Sequence, residues 1–210
     1  GAFPRRAVRG VFREIISACL SLEQSVAVGF LGPEGTFSHM AARHLFGLAA
    51  RYREAATIEG VFDAVRAGDA MYGVVPIENS TEGSVTTTAD ALIESDLMVR
   101  QELVLEIAHA LLARSGASLT SIERVYSHPQ PLAQCRVWLA KNLPHAQLVQ
   151  TASTVAAARE ALADARGAAI ASRLAAEIIG GLDVVRDGIH DRAENATRFF
   201  GHYPVGGSLA

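Results

Sequence analysis

An α/β fold of two mainly parallel lobes with a cleft between them is what the 210 residues predict. Strand-like apolar runs alternate with helical stretches of about 10–15 residues, the pattern of parallel sheets. The alternation comes in two series. A long extended stretch over 97–112 joins them, and a last extended piece over 198–205 closes the chain.

Residues 8–22 read as an amphipathic helix, with Val8, Val11, Phe12, Ile15, Cys19 and Leu22 at helical spacing and arginines on the other side. Such a stripe needs a partner surface, which makes the segment the end of a preceding domain or a linker helix packed on the main body. From Val26 the first series runs strand 27–31, helix 40–46, a helix on Ile58, Val61, Phe62 and Val65 that stops at Gly68, strand 71–77, and a helix on Val85, Ala89, Leu92 and Ile93. The second runs strand 122–128, helix 131–141, strand 147–151, helix 154–164, strand 168–172 and helix 173–179, ended by Gly180-Gly181.

Half of the residues are hydrophobic and a fifth charged, as in ordinary globular proteins, and the net charge of −3 offers no basic face for nucleic acid. No apolar run reaches the ~18–20 residues of a membrane helix, and no secretory signal is evident. Cys19 and Cys135 have neither metal-ligand nor disulfide-framework spacing. The cytoplasm is the default compartment.

In parallel α/β sheets ligands bind where loops leave the carboxyl ends of strands. Five polar clusters occupy such loops. Gly32-Pro33-Glu34-Gly35-Thr36-Phe37-Ser38 is either a capped turn or an anion site built from backbone amides, with Thr36 or Ser38 as cap. Pro76 to Ser84 carries more hydrogen-bonding side chains than a turn needs. Glu78 and Asn79 there suit hydroxyl orientation or proton transfer, while Ser84 suits a cap. Ser127-His128-Pro129-Gln130-Pro131 leads into a helix with Gln134 one turn along, and His128 reads as a loop histidine more readily than as a base. Thr151-Ala152-Ser153-Thr154 has the look of an N-cap with spare hydroxyls. Asn195-Ala196-Thr197-Arg198-Phe199-Phe200 brings a polar group and an arginine into a strand, where Arg198 suits a carboxylate or a salt bridge.

Taken together, GPEGTFS at 32–38, GVVPIENSTEGSV at 73–85, YSHPQPLAQC at 126–135, the Ser-Thr pair at 153–154 and ATRFF at 196–200 resemble, in order and spacing, the signatures of prephenate dehydratases. The segment FREIISACLSLE at 12–23 resembles the last helix of the mutase domain in bifunctional chorismate mutase–prephenate dehydratases. The residues after Phe200 leave no room for the phenylalanine-binding ACT domain that usually follows in the family. The sequence departs from the family pattern at Ala152, where an acidic residue is common, and at His190, where Gln is usual.

The resemblance implies two α/β lobes like a type II periplasmic binding protein, with residues 25–105 plus 195–210 as one lobe, 106–194 as the other, and 1–24 as the mutase-like helix or linker. It implies conversion of prephenate to phenylpyruvate, water and carbon dioxide with no metal or organic cofactor, by a homodimer or homotetramer. The catalytic set it implies is Thr197, Glu78, Asn79, Ser127 and Gln134. The substrate-binding set is Arg198, Phe199, Gly35, Thr36, Ser38, Ser80, Gly83, Ser84, Ser153 and Thr154. Thr197 would hydrogen-bond the departing hydroxyl, either with a relay through water, Glu78 or another group or simply by stabilising developing charge, and Arg198 with the amides around Gly35–Ser38 would hold carboxylates. An arogenate dehydratase and a non-catalytic binding module on the same fold are the competing readings.

Overall fold

The computed structural model describes residues 5–23, 26–192 and 195–204. In chain order the helices and strands are α1 (Arg5–Glu23), β1 (Ala27–Leu31), α2 (Phe37–Phe46), β2 (Arg51–Ala55), α3 (Ile58–Arg66), β3 (Tyr72–Asn79), β4 (Gly83–Ser84), α4 (Thr86–Ile93), β5 (Leu97–Glu106) and β6 (Ala110–Arg114). There follow β7 (Arg124–Ser127), α5 (Pro129–Gln134), α6 (Arg136–Asn142), β8 (Gln147–Gln150), α7 (Thr154–Ala163), β9 (Gly167–Ala171), α8 (Arg173–Ile179), β10 (Leu182–Arg186) and β11 (Ala196–Pro204). The chain divides into two compact α/β units. Unit 1 holds the residues up to Pro33, Ser38–Leu105 and those from Ala196 onward; unit 2 holds Glu34–Phe37 and Glu106–Asn195.

Unit 1 is built on a sheet ordered β2-β1-β3-β11-β5, with β4 paired to β3. The β1–β2 and β1–β3 ladders are parallel, as the strand–helix alternation predicts, while β11 and β4 run antiparallel to β3. β11 returns after all of unit 2 has been made, so no crossover helix dictates its direction. Val61 and Phe62 of α3, Val75 of β3 and Ala91 of α4 form a buried cluster against the sheet. The fully buried His202 of β11 stacks on Phe62 with ring centroids 4.3 Å apart. Its ring also lies where a side chain on Gly73 would stand, so Gly73 is glycine because the imidazole fills that space.

α1 is tied to unit 1 by Arg13, whose Nη1 donates to the His44 carbonyl at 2.8 Å, and by Glu14, whose Oε2 accepts the Leu48 amide at 2.8 Å. A cavity of about 610 Å³ lies beside it, lined by Phe12, Ile16, Leu20, Phe46, Tyr72 and Arg100 among others. Phe12, Ile15 and Ile16 nevertheless remain half exposed. The apolar stripe read from the sequence is therefore only partly covered among the described residues.

Unit 2 has a sheet ordered β10-β6-β9-β7-β8, parallel across β9-β7-β8 and antiparallel at β6 and β10. Strand alternation divides its core in two. Leu111, Ala113, Ala168 and Ile170 face Leu132, Cys135 and Leu139. Ala110, Leu112, Ala169 and Ala171 face Ala157, Ala158, Ala161 and Ala175 on α7 and α8. The alanine-rich second face lets helix and sheet backbones approach closely. The helix predicted over 131–141 is two helices, α5 and α6, because Cys135 leaves helical geometry at φ −113°, ψ 12°. Asp191 then supplies the missing start of α6, accepting the amides of Val137 (2.9 Å) and Trp138 (3.0 Å).

Candidate active site

The predicted residues fall on both units. In unit 1, the ends of β3 and β11 bring together two groups 118 residues apart in sequence: Asn79 Nδ2 donates to Thr197 Oγ1 at 2.8 Å. The polarity of that bond is fixed by the other end of the amide. Asn79 Oδ1 accepts the backbone amides of Thr81 (2.8 Å) and Glu82 (3.2 Å), which holds the turn before β4 and leaves only the nitrogen to meet Thr197. Thr197 is therefore the acceptor in this pair, and its hydroxyl hydrogen has no acceptor among the described residues. Thr197 is 7% exposed. Ser80 extends the pairing, donating its backbone amide to the Ala196 carbonyl and accepting the Ala196 amide on Oγ.

Glu78 does not join Thr197. In the β3–β11 ladder Thr197 lies opposite Asn79 and Arg198 opposite Glu78, so adjacent pairs point to opposite faces of the sheet. Arg198 Nε stands 3.3 Å from Glu102 and 3.7 Å from Glu78, with all three side chains about half exposed. Among the described residues Glu78 stands beside Arg198 and makes no bond to Thr197. Ion pairs this exposed are worth about 0–1 kcal/mol, so Arg198 can exchange them for another carboxylate.

Phe199 is 1% exposed, packed in the core of the sheet, and sits opposite Pro76 past a bulge in the ladder. Gly83 takes φ +86°, a turn conformation that favours glycine, and Ser84 is exposed in β4. The predicted Ser84 cap is not made, since α4 is preceded by Val85 with no side-chain cap. Ser38 is buried in α2.

In unit 2, Gly35 takes φ +91°, and its carbonyl accepts the Ser172 hydroxyl at 2.6 Å. Thr36 immediately precedes α2. Ser172 also caps α8 through the Ala175 amide at 3.1 Å, so one hydroxyl ties the glycine loop to a helix start. Ser153 caps α7, accepting the Ala156 amide at 3.0 Å, and Thr154 begins that helix. The hydroxyl of Ser127 is fully buried and donates to the Ile170 carbonyl of β9 at 2.8 Å. That bond leaves Ser127 able only to accept from a ligand. His128 is the N-cap of α5, its Nδ1 taking the Gln130 amide at 3.4 Å.

Gln134 stands in a group that sequence reading missed. Its Oε1 lies 2.6 Å from His109 Nε2 and 3.3 Å from Asn195 Nδ2. His109 immediately precedes β6 inside an apolar run, and a histidine in the run Ile-Ala-His-Ala-Leu-Leu was the one signal available for it. Burial pushes its pKa down, with the Gln134 bond opposing and His190 adding to the depression. Among the described residues, no cluster of three or more His, Cys, Asp or Glu side chains is placed to hold a metal ion.

Polar groups at strand ends and helix starts are where α/β proteins take up small molecules. The prephenate dehydratase family model matches residues 28–201, and the chain belongs to that family. It is 46% identical over 199 residues to the bifunctional chorismate mutase/prephenate dehydratase of Aquifex aeolicus, covering 95% of this chain and 54% of the relative. It is 41% identical to the prephenate dehydratase of Lactococcus lactis subsp. cremoris, over 82% of this chain and 62% of that one. The chain thus spans little more than half the length of the curated relatives it matches. The solved structure of an Arthrobacter aurescens prephenate dehydratase in complex with L-Phe superposes with a TM-score of 0.78 at 38% identity, over 86% of this chain and 61% of that one.

Proposed function

We propose that this chain converts prephenate to phenylpyruvate, water and carbon dioxide, a step toward phenylalanine. In that reaction the bond from ring carbon to carboxylate breaks and its electron pair enters the ring. The ring carbon–oxygen bond breaks in concert, and the departing oxygen takes a proton from solvent to leave as water. Aromatisation supplies the driving force, so the protein's task is to hold the dianion and to stabilise charge on the leaving oxygen.

The observation that carries this reading is the one-way hydrogen bond from Asn79 to Thr197. A threonine hydroxyl whose oxygen already accepts a bond donates its own hydrogen, and the Asn79 bond polarises it toward doing so. Thr197 accordingly donates to the departing oxygen, stabilising charge as it develops; it is too weak an acid to give up its proton unaided. Arg198 receives a substrate carboxylate in exchange for its acidic neighbours. Gln134, through its amide nitrogen, and the amides around Gly35 and Thr36 supply further donors, as do the hydroxyls of Ser153 and Thr154, whereas Ser127 is buried with its hydrogen spent on the Ile170 carbonyl.

No helix of the described residues is long and apolar enough to cross a membrane. We place the protein in the cytoplasm as a homodimer or homotetramer, following the family resemblance, and sedimentation tests the assembly. The function is tested by phenylpyruvate formation when purified protein meets prephenate, with arogenate offered in parallel. Turnover of prephenate is the expected result. Turnover of arogenate alone would make it an arogenate dehydratase, and tight binding without turnover a binding module.

A further inference from the structure

Two buried donors converge on one oxygen in unit 2. His109, 3% exposed, and Asn195, 3% exposed, both reach Oε1 of Gln134 at 2.6 and 3.3 Å. An amide oxygen only accepts, so His109 carries its proton on Nε2. The residue is held from two sides besides. The Phe37 ring meets its imidazole in a T-shaped pair with centroids 5.5 Å apart, and the His109 backbone carbonyl accepts the Ile189 amide at 3.0 Å. Gln134 is held as well, its backbone carbonyl accepting the Asp191 amide at 2.8 Å while Asp191 caps α6. The amide nitrogen of Gln134 has no bond among the described residues.

We infer that His109 and Asn195 are positioning residues that lock the side-chain amide of Gln134 in one rotamer, oxygen inward, so that its nitrogen is presented as a donor to the substrate. This rests on the proposed dehydratase reading. Without the two donors the amide is free to rotate or flip, presenting its oxygen to a dianion, which repels it. A histidine fits this position because its Nε2–H is a donor at the end of a flat ring that makes a T-shaped pair with Phe37. Desolvation keeps the ring neutral and so avoids burying a charge.

The test uses His109→Phe, which keeps an aromatic ring but no donor, and His109→Gln, whose terminal amide stands where Nε2 stood. Each is also made in a Gln134→Leu background. His109→Phe is expected to lower kcat about tenfold or more, with His109→Gln recovering most of the loss and His109→Phe adding little once Gln134 is gone. Equal loss in both His109 variants, or losses that multiply with that of Gln134→Leu, would overturn the inference. ¹⁵N NMR of the histidine rings reads the same lock without turnover: His109 is to be protonated on Nε2, with burial holding its pKa below the ordinary histidine value. A ring protonated on Nδ1 sinks the inference. Absent turnover with an intact Nε2–H signal sinks the dehydratase reading instead.

Discussion

Asn79 donates to Thr197 and cannot do the reverse, because its oxygen is spent on the amides of Thr81 and Glu82. That asymmetry leaves the hydroxyl of a strand-end threonine free to donate, and in the proposed reaction it donates to the leaving group. It yields a sharp prediction at Asn79. Asn79→Asp retains the turn-holding oxygen but offers Thr197 an acceptor, so the threonine hydrogen turns inward. Turnover should fall about 10²-fold or more in a variant whose thermal stability stays near that of the parent. Asn79→Ala should lose both turnover and stability, the latter by about 1 kcal/mol for the two backbone bonds. Activity in Asn79→Asp within threefold of the parent would show that the direction of the bond is immaterial.

Arg198 gives a second test, because Glu102 and Glu78 compete with any substrate carboxylate for it. Glu102→Gln should lower KM for prephenate by a few-fold and leave kcat nearly unchanged, since it removes a ground-state competitor. Arg198→Lys should raise KM, a compact ammonium being a poor substitute for the planar fork. Steady-state kinetics on the two variants decides it, and an unchanged KM in both would remove Arg198 from the binding set.

How much of this was legible in the chain depends on how local its cause is. Strands β1, β3 and β9 are apolar runs between glycine, proline or cap signals, and they stand where the alternation puts them. β2 was not read, because Arg-Tyr-Arg-Glu-Ala at a sheet edge has no apolar run to announce it. β10, at the edge of the other sheet, escaped for a similar reason. The break at Cys135 is secured by Asp191, more than fifty residues away, which no window along the chain contains. The candidate list named Glu78, Asn79, Thr197 and Arg198 together, but not that the sheet sorts them into two pairs on opposite faces. That sorting is a matter of register between β3 and β11, settled by pairing rather than by either strand alone.

Stability against acid follows from one titrating group in each unit, the buried His202 and the partly buried Asp164. In unit 1, desolvation pushes the His202 pKa down to about 4, with Arg66 adding to the shift. Native His202 stays neutral while the unfolded chain takes up a proton below about pH 6.5, so stability is full above that pH and is lost as pH falls from there toward 4. His202→Phe should flatten that part of the curve in urea unfolding; an unchanged slope would argue against it. Gly73→Ala, which forces a methyl into the His202 ring, should cost about 1–3 kcal/mol.

In unit 2, Asp164 is held by Arg124 through Nε at 2.6 Å and Nη2 at 2.8 Å, with the Tyr126 hydroxyl at 2.9 Å and the Arg166 amide at 3.0 Å. The Arg124 bonds hold its carboxyl well below the usual range. A depressed carboxyl contributes stability above the unfolded value of about 3.9 and loses it as pH falls below. Asp164→Asn should lower the melting temperature at neutral pH and remove this lowest-pH component. Parallel melting curves for variant and parent from neutral pH to about pH 3 would contradict it.

The central claim is that the Thr197 hydroxyl assists departure of the ring oxygen, and the rate of phenylpyruvate formation from prephenate by Thr197→Ala beside the parent chain tests it most directly. Loss of about 10²–10³-fold in kcat in a folded variant, with KM little changed and partial recovery in Thr197→Ser, is the result this account predicts. A Thr197→Ala enzyme that turns over prephenate at near the parent rate would contradict it.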